Sequence, residues 1–184
     1  LVDEGVPLVV GDIVLEIQRK KLEQPDTYLG FEAEVKISEQ TPVGESTGVD
    51  VPGQLWRRYY KEKELLGASP SSEAEMGMSY MGNSAQGCFT YFAGGLVHEI
   101  PDQLPEGFVY KELPEGEYIV CRIEAENFED LVTVALNQAN KYLFSTWLPR
   151  HGLTTEPFSA EKYDRSPEDM ACMEIWVKPL QMET

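Results

Sequence analysis

Glu174 and Trp176 stand two residues apart in the run Met173-Glu174-Ile175-Trp176-Val177-Lys178-Pro179-Leu180. Successive side chains of an extended strand point to opposite faces, so these two share one face while Met173, Ile175 and Val177 share the other. A carboxylate beside an indole makes a poor core and a good seat for a flat or cationic small molecule. Burial would raise the glutamate's pKa, and a bound cation would favour its charged form, which makes ligand charge a specificity determinant. The same carboxylate could act as a general base on water. The plainer alternative is a solvated strand carboxylate.

Other rings can join such a site. Trp56, Tyr59, Tyr60, Tyr80, Phe89, Tyr91, Phe92, Trp147 and Trp176 are spread over both halves of the chain. Ordinary core packing accounts for most of them. Glu174, Trp176, Tyr80, Trp147, Trp56, Tyr91 and Phe92 form the candidate ligand-binding set, with Trp176 and Tyr80 foremost. No residue beyond Glu174, in its alternative role, is a catalytic candidate. His98 and His151 stand apart with no ligand spacing around them, so no metal site and no cofactor are expected. Ser145 and Ser159 lack a nucleophile elbow. Gly44-Glu45-Ser46-Thr47-Gly48 lacks the GK[ST] ending of a phosphate-binding loop.

The elements that must hold these residues follow from periodicity. Leu1 to about Gln24 is set apart as a leader, in which Val9 to Ile17 fits a strand or a short helix. Tyr28–Ile37 alternates as a strand, and Glu39–Asp50 has loop composition. Asp50 and Pro52 open a helix with Leu55, Trp56, Tyr59, Tyr60 and Leu66 as its stripe and Gly67 as its end. A polar loop, Ala68–Ala74, leads to strands at Glu75–Met81 and Cys88–Ala93, joined through Gly82 and Asn83. In the second half, Phe108–Ile123 is strand-like, with Pro114 expected at a bulge or an edge. Asn127 caps a helix carrying Phe128, Leu131, Val132, Ala135, Ala139, Tyr142, Leu143 and Trp147, which Pro149 and Gly152 end. Phe158–Tyr163 and the run around Glu174 complete the series.

The order is strand, helix, strand, strand, twice over. It predicts an α+β fold of two pseudo-symmetric βαββ units, one about 25–99 and the other about 106–180 within a domain 25–184. The units would form antiparallel sheet around a central ligand cavity, with helices on the outer face.

Composition bounds the rest. The 184 residues suffice for one domain with a real core. A formal net charge of -17 repels phosphate backbones and favours cations, so this segment is not expected to bind nucleic acid directly. The basic run Arg57, Arg58, Lys61 and Lys63 is a solvated helix face paired with Glu62 and Glu64. No apolar run approaches the roughly 18 residues of a membrane span, and no signal peptide is visible. Cys88, Cys121 and Cys172 lie far apart in apolar or strand-like contexts, as expected of reduced, buried thiols in a cytoplasmic protein.

Four segments in order carry a resemblance: Leu113-Pro114-Glu115-Gly116-Glu117-Tyr118, Tyr142-Leu143-Phe144-Ser145-Thr146-Trp147-Leu148-Pro149, Glu161-Lys162-Tyr163-Asp164 and Glu174-Ile175-Trp176-Val177-Lys178-Pro179-Leu180. Together they resemble the GyrI-like family, the effector-binding domain of AraC-type and MerR-type bacterial transcription regulators, over roughly Tyr28 to Leu180. The resemblance implies a small, lipophilic or cationic ligand held between rings, with a last-strand glutamate, Glu174 by position, facing the cavity. It implies either a stand-alone sensor or a module behind a DNA-binding helix-turn-helix, for which a start at Leu1 rather than Met leaves room. It also implies an alternative: hydrolysis of strained, cyclopropanoid-type toxins by the same glutamate. The chain departs from the family in the residues Ser159-Ala160 between Phe158 and Glu161, and in Lys178 before the strand-ending proline.

Overall fold

The structure, a computed structural model, describes residues 4–36, 51–66, 74–80, 87–127, 130–164 and 171–181. The loop expected at Glu39–Asp50, the Gly67 helix end, most of the 68–74 loop, the Gly82–Asn83 turn and Phe128 lie outside the described residues.

Nine strands form one antiparallel sheet: β1 Pro7–Val10, β2 Ile13–Leu22, β3 Asp26–Lys36, β4 Ala74–Tyr80, β5 Cys88–Val97, β6 Val109–Leu113, β7 Gly116–Ala125, β8 Leu153–Asp164 and β9 Ala171–Gln181. Their order across the sheet is β1-β2-β7-β9-β8-β4-β5-β3-β6. Helix α1 (Val51–Glu62) continues as a 3-10 turn, Lys63–Leu66. Helix α2 spans four consecutive segments, of π type (Leu131–Ala135), α type (Leu136–Tyr142), π type (Leu143–Trp147) and α type (Leu148–Arg150). The expected α+β class with two βαββ units holds: β3-α1-β4-β5 and β7-α2-β8-β9 occupy mirrored places about the central β4–β8 pair.

Two elements differ from the sequence reading. The stretch left open between strand and helix is strand, β1 and β2, so residues 7–22 add to the sheet. The stretch Phe108–Ile123 is two strands rather than one, with Pro114 in the turn between β6 and β7. Proline cannot donate to a ladder, and Gly116 beyond it takes φ +133, a conformation that suits glycine.

These extra strands lock the halves together. β2 runs directly into β3, yet pairs with β7 of the other unit; β6 runs directly into β7, yet pairs with β3. In each case the connected strands stand six places apart, roughly 29 Å in a flat sheet. The linkers, residues 23–25 and 114–115, reach at most roughly 14 Å. The sheet must therefore curl until its ends meet.

Curling gives it a concave and a convex face. Both helices pack on the convex face, where the ladder Val177–Ser159–Ser79–Tyr91 shows that the two units present a common surface. Leu131, Ala135, Ala139, Leu143 and Trp147 bury α2 against β2, β7 and β9. Leu55, Tyr59 and Leu66 bury α1 against β3 and β5. The concave face is filled by its own side chains: Tyr28, Met76, Met78, Phe92, Leu113, Tyr118, Val120, Ala160 and Trp176.

Local signals explain the helices. Asn127 Oδ1 accepts the Asp130 N–H at 2.8 Å, as its capping position predicts. Pro149 does not stop α2, which continues to Arg150. Its missing N–H falls just after the wider π turn, and Gly152, at φ +67, ends the helix. Arg58 and Glu62 pair at 2.7 Å on the exposed face of α1, as expected. No described helix is long and apolar enough to cross a membrane.

Candidate functional site

The Glu174–Trp176 face lies on the concave side and is internally satisfied. Lys20 Nζ donates to Glu174 Oε2 at 2.7 Å, and Trp176 Nε1 donates to Glu174 Oε1 at 3.3 Å. Lys162 Nζ sits 3.8 Å from the centre of the Trp176 ring and reaches Asp26 Oδ2 at 3.5 Å. Burial lowers the Lys162 pKa, and Asp26 and Glu174 oppose that shift. Tyr118 closes the cluster, its ring 5.3 Å from Trp176. The two groups suited to receive a cation thus already hold the chain's own ammonium groups.

The other candidates scatter. Phe92 joins the concave core. Tyr80 ends β4 and is exposed. Trp147 is fully buried under α2, stacked at 4.0 Å on His151. His98 is exposed. Cys88 and Cys121 are buried, and Cys172 is part-exposed beside Arg122.

Trp56 and Tyr91 come together, on the convex face. There β4 and β8 run between the two helices and form the floor of a groove. Trp56 projects from α1 across it and packs against the cores of both units. Its Nε1 donates to Tyr91 Oη at 3.0 Å, and its ring meets Tyr163 edge-on at 5.7 Å. Tyr60, one turn further along α1, stacks on Trp56 at 6.0 Å.

Two carboxylates face this groove. Glu161 Oε2 accepts the Tyr163 hydroxyl at 2.8 Å and the Tyr91 hydroxyl at 3.5 Å. Glu75 Oε1 accepts the Tyr60 hydroxyl at 2.8 Å, and Glu75 is 2% exposed. The register sets them side by side: Gly77 opposes Glu161, and Glu75 opposes Tyr163. Gly77 is required here, because a Cβ would strike the Tyr91 hydroxyl that leans over it. Burial pushes the Glu161 carboxyl up, and the two tyrosine hydroxyls only oppose that shift. Burial and the neighbouring Glu161 hold the Tyr163 hydroxyl well above its usual range, so it stays a donor. Glu161 nonetheless remains partly accessible to solvent, as a group on the floor of a groove would be.

The sequence places Glu161 and Tyr163 in a motif but outside its candidate ligand set, and it does not single out Glu75. The available signal was the shared face of Glu161 and Tyr163, two apart on one strand, and of Trp56 and Tyr60, four apart on one helix. Among the described residues, no group of three or more His, Cys, Asp or Glu could hold a metal ion.

A rigid sheet bearing an aromatic groove with a few convergent polar groups has the make-up of a small-molecule-binding module. A family model described as the GyrI-like small molecule binding domain matches residues 19–178, and the chain belongs to that family. Three solved structures are similar. SAV2435, bound to tetraphenylphosphonium, superposes with a TM-score of 0.63 at 17% identity, over 90% of this chain and 94% of that one. An integron cassette protein from Vibrio cholerae gives 0.60 at 16%, over 89% and 95%. The EcmrR C-terminal domain gives 0.60 at 11%, over 91% and 99%. In a complex of EcmrR with DNA the TM-score is 0.53, and the match covers 58% of that longer chain. At these identities the likeness shows the fold. No curated protein matches.

Proposed function

We propose that the groove between α1 and α2 binds a lipophilic cation, and that the chain acts in the cytoplasm as the effector-binding part of a bacterial transcription regulator or as a stand-alone sensor. In the regulator form, a helix-turn-helix preceding Leu1 would carry the DNA contact. One observation carries the reading: Glu161 is a desolvated carboxylate between rings whose partners are tyrosine hydroxyls rather than cations. A carboxylate left in that state is a site in want of a positive charge. The tetraphenylphosphonium held by SAV2435 supports that ligand class, and the EcmrR–DNA complex supports the regulatory setting.

Titration with tetraphenylphosphonium tests the proposal. The wild type should bind and gain thermal stability; Glu161→Gln should weaken binding by about tenfold or more. Equal affinity in the wild type and Glu161→Gln would overturn the role of Glu161.

A hydrolytic reading rests on the same Glu161, which lies on the groove floor between the Tyr91 and Tyr163 hydroxyls, where burial raises its pKa and with it its basicity towards a water. Glu174, ion-paired to Lys20, suits that role less well. Conversion of a cyclopropane-bearing substrate, lost in Glu161→Gln, would establish hydrolysis; binding without conversion would exclude it.

A further inference from the structure

We infer that the groove prefers lipophilic cations that carry an N–H over fully substituted cations of similar bulk, because the fold leaves one oxygen of Glu161 open as a hydrogen-bond acceptor. This names the ligand class of the proposed binding function and rests on it.

The two oxygens of Glu161 are used unequally. Both tyrosine hydroxyls donate to the same one, Oε2: Tyr163 at 2.8 Å and Tyr91 at 3.5 Å. Among the described residues no group donates to Oε1, and Oε1 is not a buried atom. Anchoring Oε2 between the tyrosines turns Oε1 off the floor and towards the groove. The direction of the anchor is fixed as well. Trp56 Nε1 donates to Tyr91 Oη at 3.0 Å, so that hydroxyl accepts from α1 and turns its own proton towards Glu161. Gly77, opposite Glu161, leaves room for the arrangement: a Cβ there would strike Tyr91 Oη and stand 3.3 Å from Glu161 Oε2.

A ligand therefore meets Glu161 through an open acceptor. An ammonium or amidinium N–H can close on Oε1 to roughly 2.7–2.9 Å as a charge-assisted hydrogen bond. A quaternary ammonium or phosphonium ion holds its charge behind carbon, further from Oε1, and covers that oxygen without giving it a donor. The rest of the groove does not separate the two kinds of ion. Both can lie against the stacked Trp56 and Tyr60 rings, and both feel the same field at a net charge of -17. Hydration pulls the other way: the N–H cation is the more strongly hydrated, so a groove with no open acceptor would favour the quaternary ion. The sign of the preference thus reports on Oε1.

Calorimetric titration with a matched pair reads that sign directly: protonated dimethyl(naphthylmethyl)amine, at a pH well below its pKa, against the trimethyl(naphthylmethyl)ammonium ion. In the wild type the protonated amine should bind about tenfold or more tightly. In Glu161→Gln, checked for its fold by circular dichroism, the tyrosine hydroxyls still donate to the amide oxygen, which turns the amide N–H groups towards the ligand. There the ratio should fall to one or below. A wild-type ratio near or below one, or a wild-type ratio kept in Glu161→Gln, would each overturn this inference while binding of the quaternary ion upholds the groove. Failure of both ions to bind the wild type would overturn the groove itself, and this inference with it.

Discussion

The two faces of the curled sheet carry the same chemical parts in opposite states. Inside, Glu174, Trp176 and Tyr118 meet Lys20 and Lys162, and Lys20 pairs with Glu174 as Lys162 does with Asp26. Outside, in the groove, Glu161 meets the Tyr91 and Tyr163 hydroxyls beside Trp56, and its carboxyl is pushed up by burial. A satisfied cluster stabilises a fold; a desolvated carboxylate without a counter-charge costs stability until a ligand supplies one. Residue type alone therefore does not mark a site. What marks it is a charge that the fold has desolvated and not neutralised.

Substitutions should separate the two regions. The largest contrast lies between the indoles. Trp176→Ala opens a hole in the concave core and should destabilise the protein by about 3–5 kcal/mol in chemical denaturation. Trp56→Ala removes a part-exposed ring and should lose much less stability than that, while weakening tetraphenylphosphonium binding. Comparable stability losses at both positions would erase the distinction.

Next comes pH. Glu161 has a folded pKa raised above its unfolded value, so the folded state holds the proton more tightly. Its contribution favours folding at acid pH and is lost as pH rises from the ordinary carboxylate value through the raised one. Over that window the wild type should lose stability relative to Glu161→Gln, and cation binding should tighten with proton release. Parallel pH–stability curves for the two proteins would refute this.

The smallest effect is expected at Glu174. Its ion pair with Lys20 is part-exposed, so Glu174→Gln should shift stability by about 1 kcal/mol or less and leave ligand affinity in the groove unchanged. A large loss of affinity would move the site to the concave face.

Much of the architecture was legible in local pattern. The alternation in β3 and β9, the stripes of α1 and α2, and the Asn127 cap are short-range features, and each formed where its spacing indicated. The β1–β2 hairpin was not legible, because short apolar runs fit either a strand or a helix. Pro114 signalled a break in pairing but not the place of the partners: β6 and β7 pair at distant positions in the sheet. The proposed groove was half legible. Trp56 and Tyr91 were singled out as ligand residues, and Glu161 only as part of a motif, because nothing in a strand's own sequence says whether a lysine will arrive opposite its glutamate.

The sequence by itself determined which side chains share a face. That property depends only on the two-residue period of a strand and the 3.6-residue period of a helix. Only the tertiary structure decided what each face meets. Lys20 reaches Glu174 from 154 positions away, and Lys162 reaches Asp26 from 136, because the exchanged strands β2 and β6 force the sheet to close. That closure brings lysines to Glu174 and Trp176, and among the described residues it sets tyrosine hydroxyls beside the Glu161 carboxylate.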